Sequence, residues 1–297
     1  MVNVPKVSPL VLYGFFLFLS LKVAIGEIPS SSPFSFIRPL QGSKKGDEVK
    51  GLYNLKKYLK RFGYIDNLPY NSTSPEANYF SDQLESAVRT YQTNFNLSPT
   101  GILDFDTVSL MMKPRCGVPD IINGTNWIRR RLVPHYSFIP GNPKWPDDKN
   151  VHSYAWADGT PYEFVWTTKM AFQQWSGWTR LSFNDGTDYR SADLKFHLFA
   201  GEHGDGEAFD GPGGIIAHSF EPTEGICHFD SEEEWAEVGV YPYGVDIQSV
   251  ATHEIGHLLG LGHSGVPTAV MFPAIGYGET KRLLDNDDIQ GIRALYP

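Results

Sequence analysis

One stretch constrains this chain more than any other: Ala251-Thr-His-Glu-Ile-Gly-His-Leu-Leu-Gly-Leu-Gly-His263. His253 and His257 are four residues apart. On a helix that spacing stacks both imidazoles on one face, one turn apart, where they can grip one zinc ion. Glu254 sits beside them, within reach of a water held at the metal. Gly260 is where such a helix stops, because glycine takes the left-handed conformation without steric cost. The chain then turns, and His263 can return as a third ligand. Three protein ligands and one open position are the pattern of a catalytic zinc site rather than a structural one. A core helix with incidental histidines would have to satisfy the whole spacing by chance.

The rest of the composition is compatible with that site. A length of 297 residues allows one large domain or two modest ones. Apolar residues make up 41%, enough for a real core. A formal net charge of -9 argues against nucleic acid as a partner. Acidic residues crowd between Glu202 and Glu237, which foreshadows metal ions. Residues 1–26 read as a secretory signal: Lys6 gives a positive start, Leu10 to Leu21 is apolar, and Ala24-Ile-Gly26 offers small residues for cleavage. The run is short for a membrane span and Lys22 interrupts it. Ala294-Leu-Tyr-Pro297 offers no hydrophobic tail for a lipid anchor. Asn71, Asn123 and Asn96 each open a glycosylation sequon, as befits a secreted chain, and Pro99 makes the last the weakest. Two cysteines, Cys116 and Cys227, do not make a disulfide framework.

Taken in order, residues 27–46 read as a leader, loose over its Ser-, Pro- and Gly-rich part from Ser30 to Gly46. A small helical domain over 47–113 follows. Val49, Leu52, Leu55, Tyr58 and Leu59 recur at helical spacing, and Gly63 closes that run. Ser81 caps a second helix with Leu84, Ala87, Val88 and Tyr91 inward. Asp106 to Met112 makes a third. Pro114-Arg-Cys-Gly-Val-Pro-Asp120 is extended, bracketed by prolines that forbid helix. Asn123 to Pro146 reads as a linker, and its triplet Arg129 to Arg131 is either a processing site or a solvated charge run. From His152 a second domain begins. Its elements are a helix over Tyr162 to Gly177 (Phe164, Met170, Ala171 and Trp175 inward), strands at 181–183, 192–198 and 215–220, a glycine-rich acidic loop at 201–214, and a last helix over 287–295. Helices and strands without regular alternation predict an α+β fold.

The residues after the zinc motif sharpen this reading. Ser264 follows the third histidine, and Ala269-Val-Met-Phe-Pro273 lies just beyond. The elongated motif followed by a methionine turn resembles the metzincin peptidases, with Met271 in the place of their methionine. Ser264 and the segment Pro114 to Asp120 narrow the resemblance to the matrixins, in a minimal, plant-like form without a hemopexin domain. It extends from about Asp47 to the last residue. It implies a catalytic domain over 136–297, built on a twisted mixed sheet with three helices. A peptidoglycan-binding-like prodomain (47–113) and a cysteine-switch segment with its activation linker (114–135) precede it. Cys116 would fill the open zinc position in a latent form, with Arg115 and Asp120 paired to hold the loop. His203, Asp205, His218 and His228 would hold a second, structural zinc. Asp210, Asp230 and Glu233, with the backbone carbonyls of Gly211, Gly213 and Ile215, would bind at least one calcium ion; oxygen-only ligands suit a hard cation. Glu224-Gly-Ile-Cys-His228 lacks the Asp-containing insert that helps relatives bind a second calcium. The resemblance also places the mature N-terminus near Tyr136, its α-ammonium paired with Asp287, whereas the arginine triplet points to a first cut after Arg131.

Together these features lead us to expect a secreted, extracellular zinc endopeptidase made as a latent zymogen, with Glu254 as general base. Its partners would be extended protein or peptide substrates and an activating protease, and it would be a monomer. Substrate would lie along residues 215–220. A pocket walled by Val250 and by Pro273 to Ile275 would take an apolar side chain after the cut bond. Two rivals are a metal-stabilised binding protein, which Glu254 argues against, and a cell-wall hydrolase, which Met271 and Cys116 argue against.

Overall fold

The computed structural model describes residues 32–69, 71–126, 128, 136–186, 188–237 and 244–297. The expected signal peptide and the arginine triplet lie outside the described residues. Among the described residues no helix is long and apolar enough to cross a membrane.

Three helices form the first half: α1 (Leu52–Arg61), α2 (Asp82–Asn94) and α3 (Phe105–Met111). Ser81 Oγ accepts the Leu84 N–H at the start of α2, and Asp82 and Glu85 in its first turn complement the positive end of the helix dipole. Asp104 caps α3 in the same way through the Thr107 N–H. Leu52, Leu55 and Leu59 pack with Leu84, Val88, Tyr91, Val108 and Met111 into one core. The loose leader expected over Ser30 to Gly46 is not what the chain does there. A 3₁₀ helix, Pro33–Leu40, runs through it and buries Phe34, Ile37 and Leu40 in that same core. Apolar residues at positions 34, 37 and 40 recur every third residue, which is the 3₁₀ period. The Pro and Ser content masked that signal.

Next come β1 (Arg115–Cys116) and the hairpin β2 (Ile121–Ile122) and β3 (Thr125–Asn126). Asn123 and Gly124 turn the hairpin with φ of 50° and 71°, the positive values that a tight two-residue turn requires. Beyond it lie β4 (Val151–Trp156), α4 (Tyr162–Ser176), β5 (Ser182–Asp185), β6 (Leu194–Phe199), β7 (Ile215–Ser219), β8 (Ile226–Asp230), β9 (Trp235–Ala236), β10 (Val245–Asp246), α5 (Ile247–Leu258) and α6 (Asn286–Leu295). The main sheet has the order β1-β7-β8-β6-β4-β5, with only the β7–β8 pairing antiparallel. The fold is therefore α+β: a mixed sheet with the three helices α4, α5 and α6, preceded by a helical prodomain.

The region expected as a linker to Pro146 is partly core. Ile139 and Trp145 are buried, and the Trp145 indole N–H donates to Leu258 O at 2.8 Å, tying this segment to the end of α5. Met170, expected inward, is only half-buried; Thr167, Thr168 and Phe172 take the inner face of α4 with Phe164, Ala171 and Trp175. The Trp175 indole N–H donates to Thr252 O at 2.9 Å and fixes α4 against α5.

Candidate metal centre

Helix α5 is buried along its whole length. Asp246 caps it through the Ser249 N–H and is held in turn by Arg282. Gly256 lies between the two histidines because nothing larger fits: a Cβ there would stand 2.3 Å from Met271 Sδ and 3.0 Å from Trp175. Gly260 has a φ of 99°, and a Cβ on it would meet Pro143 O at 2.1 Å. The glycine thus ends the helix and lets the chain reverse under Pro143, which brings His263 back to the helix.

Cys116 Sγ and one ring nitrogen each from His253, His257 and His263 all lie within 4.8 Å of one another. The ring orientations are fixed from behind. His253 Nδ1–H donates to Val270 O at 2.7 Å, His257 Nδ1–H to Leu261 O at 2.8 Å, and His263 Nδ1–H to Asp120 Oδ1 at 2.8 Å. Acceptors on every Nδ1 leave each Nε2 with its lone pair, the arrangement that metal-binding histidines require. His253 and His257 Nε2 stand 3.1 Å apart, and His263 Nε2 is buried with no partner among the described residues. Burial pushes His253 well below the ordinary imidazole range and His257 down to about 3, so the rings stay neutral. Such buried, neutral, convergent nitrogens cost free energy unless something satisfies them, and a divalent cation fits that demand.

Cys116 arrives on β1, which lies alongside β7 in the sheet. Its segment is threaded between two walls. Arg115 N–H donates to Gly214 O and Gly117 N–H to Ala217 O on one side; Cys116 N–H donates to Pro273 O on the other. Cys116 Sγ stands 3.5 Å from His257 Nε2. The Arg115 guanidinium bonds Asp120 at 2.8 Å and lies 3.5 Å above the Phe62 ring, with both charged groups buried. The Arg115–Asp120 pair has the arrangement expected from the sequence. The further link from Asp120 to His263 was not, since nothing local marks a contact spanning so much chain. Burial, with Glu254 second, holds the Cys116 thiol protonated when no cation is near; a dication reverses that balance.

Glu254 is fully buried one residue from His253. Ser219 Oγ–H, on β7, donates to its Oε2 at 2.7 Å, while Oε1 has no hydrogen-bond partner among the described residues. Burial pushes its pKa up to about 7, near the value a general base needs at neutral pH. Sequence reasoning missed Ser219; its register on β7 is what places it there.

The second set also assembles. His203 Nε2, His218 Nε2 and His228 Nδ1 stand 2.9, 2.8 and 2.9 Å from the same oxygen, Asp205 Oδ2. Three imidazoles and a carboxylate within 4.8 Å suit a closed tetrahedral site.

The expected calcium residues run from the loop before β7 to its first residue, Ile215, and from the last residue of β8, Asp230, into the turn after it. Glu233 Oε1 accepts the Gly213 N–H and Asp210 Oδ1 accepts the Ile215 N–H. Asp230 Oδ2 and Glu233 Oε2 are buried without partners among the described residues. Burial pushes Asp210 up to about 6 and Glu233 up to about 8. Carboxylates crowded and stripped of water in this way fit a hard cation. A Cβ on Gly214 would meet Asp210 Oδ1 at 2.2 Å, so the carboxylate uses the space that glycine leaves. Gly213 O, one of the expected carbonyl ligands, accepts from Ser32 Oγ at 2.7 Å.

Other expected residues fall as follows. Cys116 and Cys227 are both free thiols, and Cys227 is buried in β8. Asn71 and Asn123 are exposed, but Asn96 donates its side-chain amide to Gly265 O at 2.8 Å. Asp287 is buried and accepts from Ser264 Oγ at 2.6 Å. Tyr136 packs on Gly291 of the same helix, α6.

Comparison with known proteins bears directly on this geometry. The family model described as Matrixin matches residues 150–297, and one described as Putative peptidoglycan binding domain matches residues 48–111. Metalloendoproteinase 5-MMP of Arabidopsis thaliana is 44% identical over 271 residues, covering 86% of this chain and 74% of its own. Metalloendoproteinase 1 of Glycine max is 40% identical over 259 residues, covering 84% and 83%. Macrophage metalloelastase of Oryctolagus cuniculus is 37% identical over 249 residues, covering 80% and 49%. The chain belongs to the matrixin family and is a zinc metalloendopeptidase.

Proposed function

We propose that the chain is a secreted endopeptidase held latent by its own Cys116 and acting with Glu254 as general base. The observation that carries this reading is the convergence of Cys116 with His253, His257 and His263 beside Glu254. His253, His257 and His263 would hold the catalytic zinc, with Cys116 as fourth ligand in the latent form. His203, Asp205, His218 and His228 would hold a structural zinc. A bound catalytic zinc supplies Lewis acidity, polarising the scissile carbonyl and acidifying water. Glu254 then takes the proton of the attacking water on Oε1 and returns it to the leaving nitrogen, while Ser219 keeps Oε2 in place. The substrate chain lies extended along β7, on the edge that β1 occupies in the latent form. A first cut after Arg131 by an activating protease, later trimming towards Tyr136, and departure of the severed segment free that edge. The enzyme acts as a monomer outside the cell, carrying glycans at Asn71 and Asn123; a glycan at Asn96 would compete with the bond to Gly265.

Cleavage of casein or a fluorogenic peptide by the activated enzyme, abolished by a chelator and restored by zinc, tests the reading. Persistent cleavage in chelator, by protein shown to be metal-free, would defeat it.

Asp210, Gly211, Gly213, Ile215, Asp230 and Glu233 would bind calcium, and this has a pH consequence. Carboxyl groups whose pKa is raised on folding bind protons more tightly in the native state. Without the cation, stability therefore falls as pH rises from about 4, through about 6 for Asp210 and about 8 for Glu233. Calcium displaces those protons, so its stabilising effect should grow from pH 5 to pH 8. At one hundred times Kd it is worth about 2.7 kcal/mol, or several degrees in Tm. Thermal melts with and without calcium at both pH values check this; an effect equal at both would remove these carboxylates from the site.

A further inference from the structure

A narrow pocket opens directly beside His253 and Glu254, and its walls include Val250, Ile216, Pro273 and Ile275. They are apolar, in line with the expected pocket for the side chain after the cut bond. Lys281 also lines this cavity, and no apolar pocket needs it there.

The polar groups around it are already committed. Ser249 Oγ–H donates to Asp246 Oδ1 and its oxygen accepts the Lys281 backbone N–H. Asp288 spends its oxygens on the N–H groups of Val270, Met271 and Asp285. Glu279 accepts from Lys113 Nζ on one oxygen and from the Gly276 N–H on the other. Among the described residues Lys281 Nζ has only Ala274 O, at 3.2 Å, and the Phe272 ring, 4.4 Å away. An ammonium carries three donors, so Lys281 has two left over and no carboxylate partner among the described residues. Burial brings its pKa down to about 8, against the charge of the nearby Glu279 carboxylate, which favours the ammonium.

We propose that Lys281 is a specificity-determining residue that selects substrates with a carboxylate side chain, glutamate above all, immediately after the cut bond. The inference rests on the peptidase reading and deepens it. The stem of a glutamate side chain suits the apolar walls. Its carboxylate accepts the spare Lys281 donors, and such a charge-assisted hydrogen bond is about twice as strong as a neutral one. A glutamine of the same shape brings no charge, and a leucine leaves the ammonium as poorly satisfied as before. Lys113 leaves with the prodomain, so Glu279 loses one partner on activation, but the Gly276 N–H still holds its other oxygen.

The test uses full-length chain, activated after purification, and three peptides that differ only at the position after the cut bond: Glu, Gln or Leu. The wild-type enzyme should cleave the Glu peptide with a kcat/KM about tenfold above the Gln peptide, the size of one charged hydrogen bond. Lys281→Met should erase that ratio while the Leu peptide is still cut. Lys281→Glu should move the preference towards Lys or Arg at the same position. A Glu-to-Gln ratio that is the same in wild type and Lys281→Met, with the Leu peptide cut by both, overturns the inference and leaves the peptidase reading standing. A preference that appears only in Glu279→Gln also overturns it, because the lysine would then be neutralised from within. Turnover of none of the peptides by metal-loaded wild-type enzyme would overturn both.

Discussion

Glu254→Gln should leave a folded protein that still binds zinc but has lost peptide turnover by at least ~10²-fold, the usual contribution of a positioned proton-transfer group. Glutamine keeps the shape of the side chain and the bond from Ser219, so the pocket need not rearrange. What it loses is the basic oxygen, the Oε1 that has no hydrogen-bond partner among the described residues. Metal content, a thermal melt and single-peptide kinetics on the same preparation separate the possibilities. Turnover within a few-fold of wild type with zinc bound would mean that the proton goes elsewhere. A loss of zinc together with turnover would mean that Glu254 supports the site rather than the reaction.

Cys116→Ser should produce a precursor that cuts peptides without being cut itself. A hydroxyl is a far poorer zinc ligand than a thiolate, so water regains the fourth position. The latch should weaken by about 3 kcal/mol, which corresponds to ~10²-fold more turnover by fresh, uncut precursor. The rest of the segment remains: Arg115 and Asp120 still pair, and the backbone of residues 115–117 still bonds both walls. The gain in activity therefore measures the sulfur and little else. Equal silence of mutant and wild-type precursors would move the latch from the thiol to those backbone contacts.

The two halves of the site differ in how far the sequence alone reveals them. The helix with His253, His257 and Gly260 is legible because its meaning is local: a helical repeat puts the rings together and one glycine turns the chain. His203, Asp205, His218 and His228 are scattered on a loop and two strands, and became readable only through a family resemblance. Residues whose role depends on distant partners carried no such signal. Asp120 meets His263 from the far end of a segment inserted across the cleft. Ser219 reaches Glu254 because of its strand register, and Lys281 enters the pocket because the chain doubles back after Met271. The leader failed for a different reason. Its period of three is that of a 3₁₀ helix, and the Ser32 and Pro33 that begin this helix are residue types that also mark turns and loops.

The core of the prodomain does not end at the prodomain. Phe209, Ile215, Phe272 and Ala274 belong to the same apolar cluster as its helices, and the rings of Phe95 and Phe272 meet edge to face at 5.4 Å. In the proposed activation, cutting the linker therefore separates nothing by itself. The severed prodomain becomes an inhibitor with a dissociation constant of its own, held by buried apolar surface and by the Arg61–Glu207 and Lys113–Glu279 ion pairs. Its release is governed by mass action: dilution favours it, and a concentrated preparation stays partly blocked after every linker has been cut. Because apolar contact weakens on cooling, that residual block should loosen in the cold, while the ion pairs make it loosen in salt. The activity of such an enzyme is then set by how much of the excised piece remains nearby, as well as by the protease that made the cut.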